Sequence, residues 1–365
     1  MSQRILLLYN SVPTEIKKDN TILWECVSPL TVAAIYEALQ QTGSEIIPVN
    51  LLSPKQLEET VSEQGPITLA FVIAEGFLEI PETLYNGFGA MAVREALMGL
   101  GIPSTHSCPE VMKVCRNKNL TYHVLRNAGI PVPDFFVIEF ESGRSVEEQV
   151  EKLEEVLSYP LFVKPVGGGN SICIDKQSIV ENREDLYDRI EILRAVLGDY
   201  PVLVETFLPG REYTVGVMGN GDCYVLPIVG FPTDTVVRSA QSKISPYAAR
   251  KMDILDVRNS KCSELVDIAY RSFKTIGARD LVRIDIKEDS SGKCHVIDFN
   301  GTPSLSSTSS VVAMAEAVGI KYPELIGILL YEALKRAGIE PTAQLIELVS
   351  EPIAKLRAFH KEMVA

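Results

Sequence analysis

Residues 281–305, LVRIDIKEDSSGKCHVIDFNGTPSL, constrain the fold more than any other stretch. Strand side chains alternate with period two. Val282, Ile284 and Ile286 therefore share one side of a first strand, and Arg283, Asp285 and Lys287 share the other. The segment EDSSGK over 288–293 supplies turn residues. The return strand puts His295, Ile297 and Phe299 on one face and Val296, Asp298 and Asn300 on the other. With the polar faces together, Arg283, Asp285, Asp298 and Asn300 converge. Two carboxylates and an amide oxygen suit a hard cation such as Mg2+, with room left for phosphate oxygens. The plain alternative is a half-exposed hairpin with solvated acids.

At 365 residues the chain has room for two or three domains with sizeable cores. No apolar run reaches the roughly 18 residues that span a bilayer. The start, MSQRILLLYN, is a short charged lead into a strand and lacks the long apolar region of a secretory signal. The expected location is the cytoplasm. A net charge of −13 argues against a nucleic-acid partner, which wants a basic surface. The seven cysteines form no CxxC pair, so buried free thiols are expected. His106, His123, His295 and His360 are scattered, and none falls in a nucleophile motif.

Residues 4–10 read as a buried strand of the parallel type. Ser28 and Pro29 then open a helix that Gly43 ends. With strands at 46–50 and 67–73, this is an α/β unit. A helix is expected over 82–100, with Gly87 and Gly89 kinking it or marking a loop. Short strands are expected at 161–165, 171–175, 202–207, 213–218 and 222–228, the pattern of an antiparallel sheet. Helices are expected at 145–158, 183–197 and 262–276, with closing helices over 307–336 and 341–363. The polar stretch 232–260 reads as a long loop, which in a compact domain is usually functional.

Two further segments carry chemistry. Leu161 to Pro165 leads a lysine, Lys164, into Gly167, Gly168, Gly169, Asn170 and Ser171. Backbone N–H groups of such a flap reach phosphate oxygens without Cβ interference, and the lysine adds a point charge. A plain glycine hairpin is the alternative. In VLVETFLPGRE, the strand can offer backbone groups and the Glu205 carboxylate to a base such as adenine, and Glu212, after the turn, can accept from ribose hydroxyls. An edge strand with a tight turn is the alternative there.

In this order, Lys118, Lys164 with its flap, Glu205 and Glu212, Arg283 with Asp285, and Asp298 with Asn300 resemble the ATP-grasp superfamily. Within it the chain is most similar to the D-alanine–D-alanine ligase group of carboxylate–amine ligases. The likeness covers about residues 103–330 well and 1–102 loosely. It implies an N-terminal α/β domain over 1–102, a central antiparallel-sheet subdomain over 103–208, and a C-terminal α+β subdomain over 209–365 with the catalytic hairpin. It also implies ATP held by Lys118, Phe162, Lys164, Gly168, Gly169, Asn170, Ser171, Glu205, Phe207, Leu208 and Glu212. Two Mg2+ ions would sit on Asp285, Asp298 and Asn300, with Arg283 and the loop residue Lys243 facing the reacting phosphoryl group. Glu25, Glu75 and Ser304 would meet substrate.

Several residues depart from the group's pattern. Asn117 stands for its aspartate, Gly169-Asn170-Ser171 for its paired serines, and Ile244 for the tyrosine after the loop lysine. Glu75-Gly76 stands for a His-Gly, and GTPSLSS for the Pro-Gly-Met-Thr turn after the metal asparagine. The implied activity is therefore ATP-dependent amide or peptide bond formation through an acyl phosphate, on an amino-acid-like substrate other than D-alanine. Two alternatives stay open: an authentic D-alanine–D-alanine ligase, and an inactive ATP-binding protein of the same fold. Expected partners are a small carboxylate and a small amine, with no nucleic acid and no membrane, and a homodimer left open.

Overall fold

The computed structural model describes residues 3–18, 20–169, 172–232 and 252–364. Among these, β1 (Arg4–Tyr9), β2 (Glu45–Asn50) and β3 (Leu69–Val72) form a parallel sheet in the order β2-β1-β3. Ile5 to Leu8 are all fully buried, as a strand covered on both faces requires. Ser28 caps the following helix, Pro29–Gln40, by accepting from the Thr31 N–H, with Pro29 at its first position.

The central sheet is antiparallel. It contains β4 (Phe135–Ile138), β5 (Leu161–Pro165), β6 (Ile179–Val180) and β7 (Val202–Thr206) in the order β4-β7-β5-β6. Helices Val146–Glu154 and Arg183–Leu197 pack on it through Val150, Leu153, Leu186, Ile190 and Leu193.

The third sheet contains β8 (Glu212–Gly219), β9 (Cys223–Val225), β10 (Val229–Gly230), β11 (Asp253–Ile254), β12 (Asp280–Glu288) and β13 (Cys294–Asn300). Its order is β11-β10-β8-β12-β13, with β9 also on β8. Helix Cys262–Ile276 ends at Gly277, whose left-handed φ of 75° closes the last turn.

The first and third parts share a core. Ile5, Leu7, Ile35 and Phe71 pack with Ile326, Leu329, Leu330 and Leu345 from the closing helices Tyr322–Arg336 and Ala343–Val364. A buried polar staple adds to this. Asp280 accepts from Arg336 Nη2 at 2.9 Å and from the His106 backbone N–H at 2.7 Å.

Three local expectations change. Residues 172–175 are turn and bend instead of strand, because Arg189 supplies side-chain donors to the Cys173 carbonyl and to Ser178 Oγ. The 82–100 helix is split into a 3-10 turn, Pro81–Leu84, and an α-helix, Gly89–Gly99, around Gly87 at φ 77°. The third change, at Val296, shapes the site. No helix among the described residues is long and apolar enough to cross a membrane.

Candidate functional site

The hairpin register sets the site. Arg283 pairs with Asn300 and Asp285 with Asp298, so the four polar groups share one face. The ladder then shifts between Asp285 and Ile286, and Ile286 pairs with Val296. Ile297 is thus the extra residue of a β-bulge. The bulge returns Val296 to the core face, fully buried, and overturns its expected place beside Asp298. It also releases the Ile297 carbonyl from the ladder. That oxygen instead accepts Lys164 Nζ at 3.1 Å and lies 2.9 Å from the Tyr122 hydroxyl.

Each acid on this face has a cationic neighbour. Asp285 takes Arg283 Nε at 3.2 Å and Nη2 at 3.1 Å, plus Thr214 Oγ1 at 2.6 Å. Asp298 lies 3.4 Å from Lys118 Nζ. Asn300 Oδ1 accepts the Thr302 N–H at 3.0 Å. Burial opposes the Arg283 charge, but the carboxylates of Asp285 and Asp298 outweigh it and hold its pKa above the ordinary arginine value.

Lys118 opens helix Lys118–Asn127, which Asn117 caps by accepting from the Leu120 N–H. The cap tolerates the Asp-to-Asn departure because either side-chain oxygen accepts that bond. Lys118 Nζ donates to the Gly168 carbonyl at 3.1 Å. Burial pushes its pKa down, and Asp298 pulls it partly back.

Lys164 uses all three ammonium protons: Glu205 Oε1 at 2.7 Å, the Tyr122 oxygen at 3.1 Å, and the Ile297 carbonyl. Tyr122 is fully buried, and its hydroxyl lies 2.8 Å from Glu205 Oε2. Burial first, then the Glu205 charge, push its pKa well above the usual tyrosine value. Phe162 sits two residues before Lys164 on the same face of β5, with its ring centroid 5.9 Å from Nζ. Glu205 is its cross-strand neighbour on β7. Glu212 lies on β8 opposite Lys287, with 3.9 Å between their charged atoms. Phe207 donates its N–H to the Pro160 carbonyl at 3.3 Å, and Leu208 is buried.

The flap base touches the N-terminal part. A Cβ on Gly167 would lie 3.1 Å from the Tyr85 carbonyl oxygen, and one on Gly169 would lie 2.5 Å from Glu25 Oε1. The Gly169 N–H donates to that Glu25 carboxylate. Arg116 stands between two acids, with Nη2 3.1 Å from Glu25 Oε1 and Nε 3.5 Å from Glu75 Oε2. Burial lifts the Glu75 pKa to about 7, with Arg116 pulling the other way. Burial opposes the Arg116 charge, but Glu75 and Glu25 keep its pKa raised.

Glu25 and Glu75 are thus brought together, close to Gly169. Ser304 bonds with Ser306 in its own loop, at 3.3 Å. Asn170, Ser171, Lys243 and Ile244 lie outside the described residues. Tyr122, Arg116, Arg94 and Thr214 have no counterpart among the sequence-derived site residues. A buried tyrosine on an amphipathic helix demands a partner for its hydroxyl, and that was the available signal for Tyr122.

The family model described as D-ala D-ala ligase C-terminus matches residues 124–331. A D-alanine–D-alanine ligase of Desulforudis audaxviator is 31% identical over 303 residues, covering 83% of this chain and 92% of that protein. A D-alanine–D-alanine ligase of Gluconobacter oxydans is 29% identical over 317 residues, covering 85% of this chain and 95% of that protein. Among solved structures, the D-alanine–D-alanine ligase of Bacillus anthracis complexed with ATP aligns with a TM-score of 0.68 at 22% identity. It covers 92% of this chain and 99% of that one. The VanG D-Ala:D-Ser ligase of Enterococcus faecalis aligns with a TM-score of 0.67 at 18% identity, covering 91% of this chain and all of that one.

Proposed function

Because the chain belongs to the D-alanine–D-alanine ligase family, and is an ATP-dependent carbon–nitrogen ligase of ATP-grasp fold, we propose that it joins an amino-acid-like carboxylate to an amine, on a pair other than two D-alanines. The observation that carries the chemistry is the cross-strand register that aligns Arg283 with Asn300 and Asp285 with Asp298, beside Lys118. In this reading ATP phosphorylates the substrate carboxylate, the amine attacks the acyl phosphate, and amide, ADP and phosphate leave. The chain supplies positioning and electrostatics. Arg283 faces the oxygens of the acyl phosphate. Lys118 holds a phosphate and keeps its tie to the Gly168 carbonyl. Lys164 reaches a phosphate only by giving up one of its three present partners, so its charge is already fixed in place.

The donor set fits Mg2+. Asp285, Asp298 and Asn300 offer hard oxygens in adjacent cross-strand positions, where Arg283 and Lys118 now neutralise the carboxylates. Bound there, Mg2+ disperses the charge of the phosphates. Phe162, the backbone of Phe207 and Leu208, Glu205 and Glu212 would line the nucleotide site. The proposal retains three units, 1–102, 103–208 and 209–365, each supplying one sheet, and a cytoplasmic enzyme.

The substrate part rests on Glu25, Glu75 and Arg116. A buried acid whose pKa burial raises, set beside an arginine, presents a different surface from the His-Gly of the D-alanine-joining group. The names of the relatives favour a second reading, D-alanyl-D-alanine formation. ADP release and product mass, measured with D-alanine alone and then with a panel of acid–amine pairs, decide between them. Release only with another pair supports the proposal, and robust dipeptide from D-alanine supports the second reading.

A further inference from the structure

Four buried charged side chains of alternating sign run from the flap to the loop after Asn300. The Gly169 N–H donates to Glu25. Glu25 pairs with Arg116 at 3.1 Å, and Arg116 with Glu75 at 3.5 Å. Glu75 hydrogen-bonds with the Thr302 side chain, which Arg94 also reaches, and the two opposite charges attract each other there. Arg94 Nη2 then donates to Thr302 Oγ1 at 3.2 Å, and Thr302 donates its N–H to Asn300 Oδ1 at 3.0 Å. None of the four side-chain-bearing residues is more than 7% exposed. Among the described residues Arg94 Nε and Glu75 Oε2 have no hydrogen-bond partner, so at those two atoms the groups rely on charge pairing.

We propose that Arg116 is a positioning residue that couples the loop after Asn300 to the flap glycines through this chain. Arg116 is the one link that touches two acids, so its loss separates the Glu25 end from the Arg94 end. In a low-dielectric interior, moving one charge changes the balance at its neighbours, and the network passes from one arrangement to another. The functional meaning rests on the ligase reading above: the flap would lie over ATP and the loop beside the acid.

The test is a double-mutant cycle in the ligand-free protein, with amide exchange of Gly168 and Gly169 as the readout. The variants are Arg116→Met, Thr302→Val and the pair, with the Ile284 and Phe299 amides reporting on the fold. Arg116→Met is expected to speed Gly169 exchange about fivefold or more, the scale of typical site-to-site coupling. Thr302→Val, an isosteric change, is expected to speed it in the wild-type background and to add nothing in the Arg116→Met background. Arg116→Lys should restore part of the protection, which a merely space-filling role would not require. Should Arg116→Met fail to fold, Arg116→Gln, which is also uncharged, replaces it in the cycle. Gly169 exchange unchanged by loss of Arg116, or equal effects of Thr302→Val in both backgrounds, overturns the proposal. ADP release by the wild type decides the ligase reading separately, so the two failures are distinguishable.

Discussion

Replacing Lys164 with Met should destabilise the fold before it says anything about nucleotide. Lys164 and Glu205 are 3% and 4% exposed, and their charged atoms are 2.7 Å apart. Removing the lysine leaves the buried Glu205 carboxylate and the Ile297 carbonyl to share the single proton of the Tyr122 hydroxyl. Breaking a buried pair by deleting one partner costs about 3–5 kcal/mol. For a cooperative unit of this length, that is a fall in Tm of about 4–6 °C. Glu205→Gln should cost less, because the amide keeps an acceptor for Lys164 and Tyr122. The double variant Lys164→Met/Glu205→Gln should lose clearly less than the two single losses together, since no uncompensated charge remains. The assay is urea denaturation of the four proteins at neutral pH. A Lys164→Met loss under about 1 kcal/mol, or simple additivity, would refute the reasoning and return Lys164 to a purely ligand-facing role.

Asp298→Asn and Asp285→Asn should each lower Mg-ATP turnover by about 100-fold or more, the Asp298 variant with a denaturation midpoint close to wild type and the Asp285 variant with a lower one, since it takes the buried carboxylate from the Arg283 pair; near-normal turnover in the folded variants would remove the metal assignment. Gly169→Ala should disturb the flap without backbone strain, since its Cβ meets Glu25 and Arg116 side-chain atoms at 2.5 and 2.8 Å; a raised KM for ATP is the expected reading, and an unchanged one speaks against it. His106 should make the fold acid-sensitive. Burial lowers its pKa from 6.5 to about 3, so below pH 6.5 the unfolded chain takes up a proton that the native state refuses. Stability is therefore lost as pH falls from 6.5 toward 3, at about 1.4 kcal/mol per unit from this group. His106→Asn, compared with wild type by urea denaturation between pH 7 and pH 4, should lack that component.

The regular parts of the fold were readable because local chemistry marks their limits. Helix Arg183–Leu197 has Asn182 as its cap, and helix Cys262–Ile276 has Gly277 in the left-handed region at its end. The β1 run is apolar on both faces, as a covered parallel strand must be. The convergence of Arg283, Asp285, Asp298 and Asn300 followed from alternation up to the bulge. An inserted residue such as Ile297 leaves no mark in composition, so the turn-side end of the return strand, His295 and Val296, was placed on the wrong face. The charged cluster was half visible. Glu25 and Glu75 stood out through the resemblance, whereas Arg94 and Arg116 meet them only across long sequence separations, 91 residues for Arg116 and Glu25. Helices Pro54–Gln64 and Pro109–Cys115 also went unread, although Ser53 caps the first by accepting from the Gln56 N–H.

The central claim is acyl-phosphate chemistry on a pair other than two D-alanines. Its most direct test supplies the acid with heavy oxygen in its carboxylate and measures ADP, amide product and labelled phosphate together. One labelled oxygen should pass to phosphate for each amide formed, with an acid–amine pair other than D-alanine with itself, and D-alanine alone should release little ADP. Robust D-alanyl-D-alanine formation would contradict the substrate assignment, and amide formed with unlabelled phosphate would contradict the acyl phosphate.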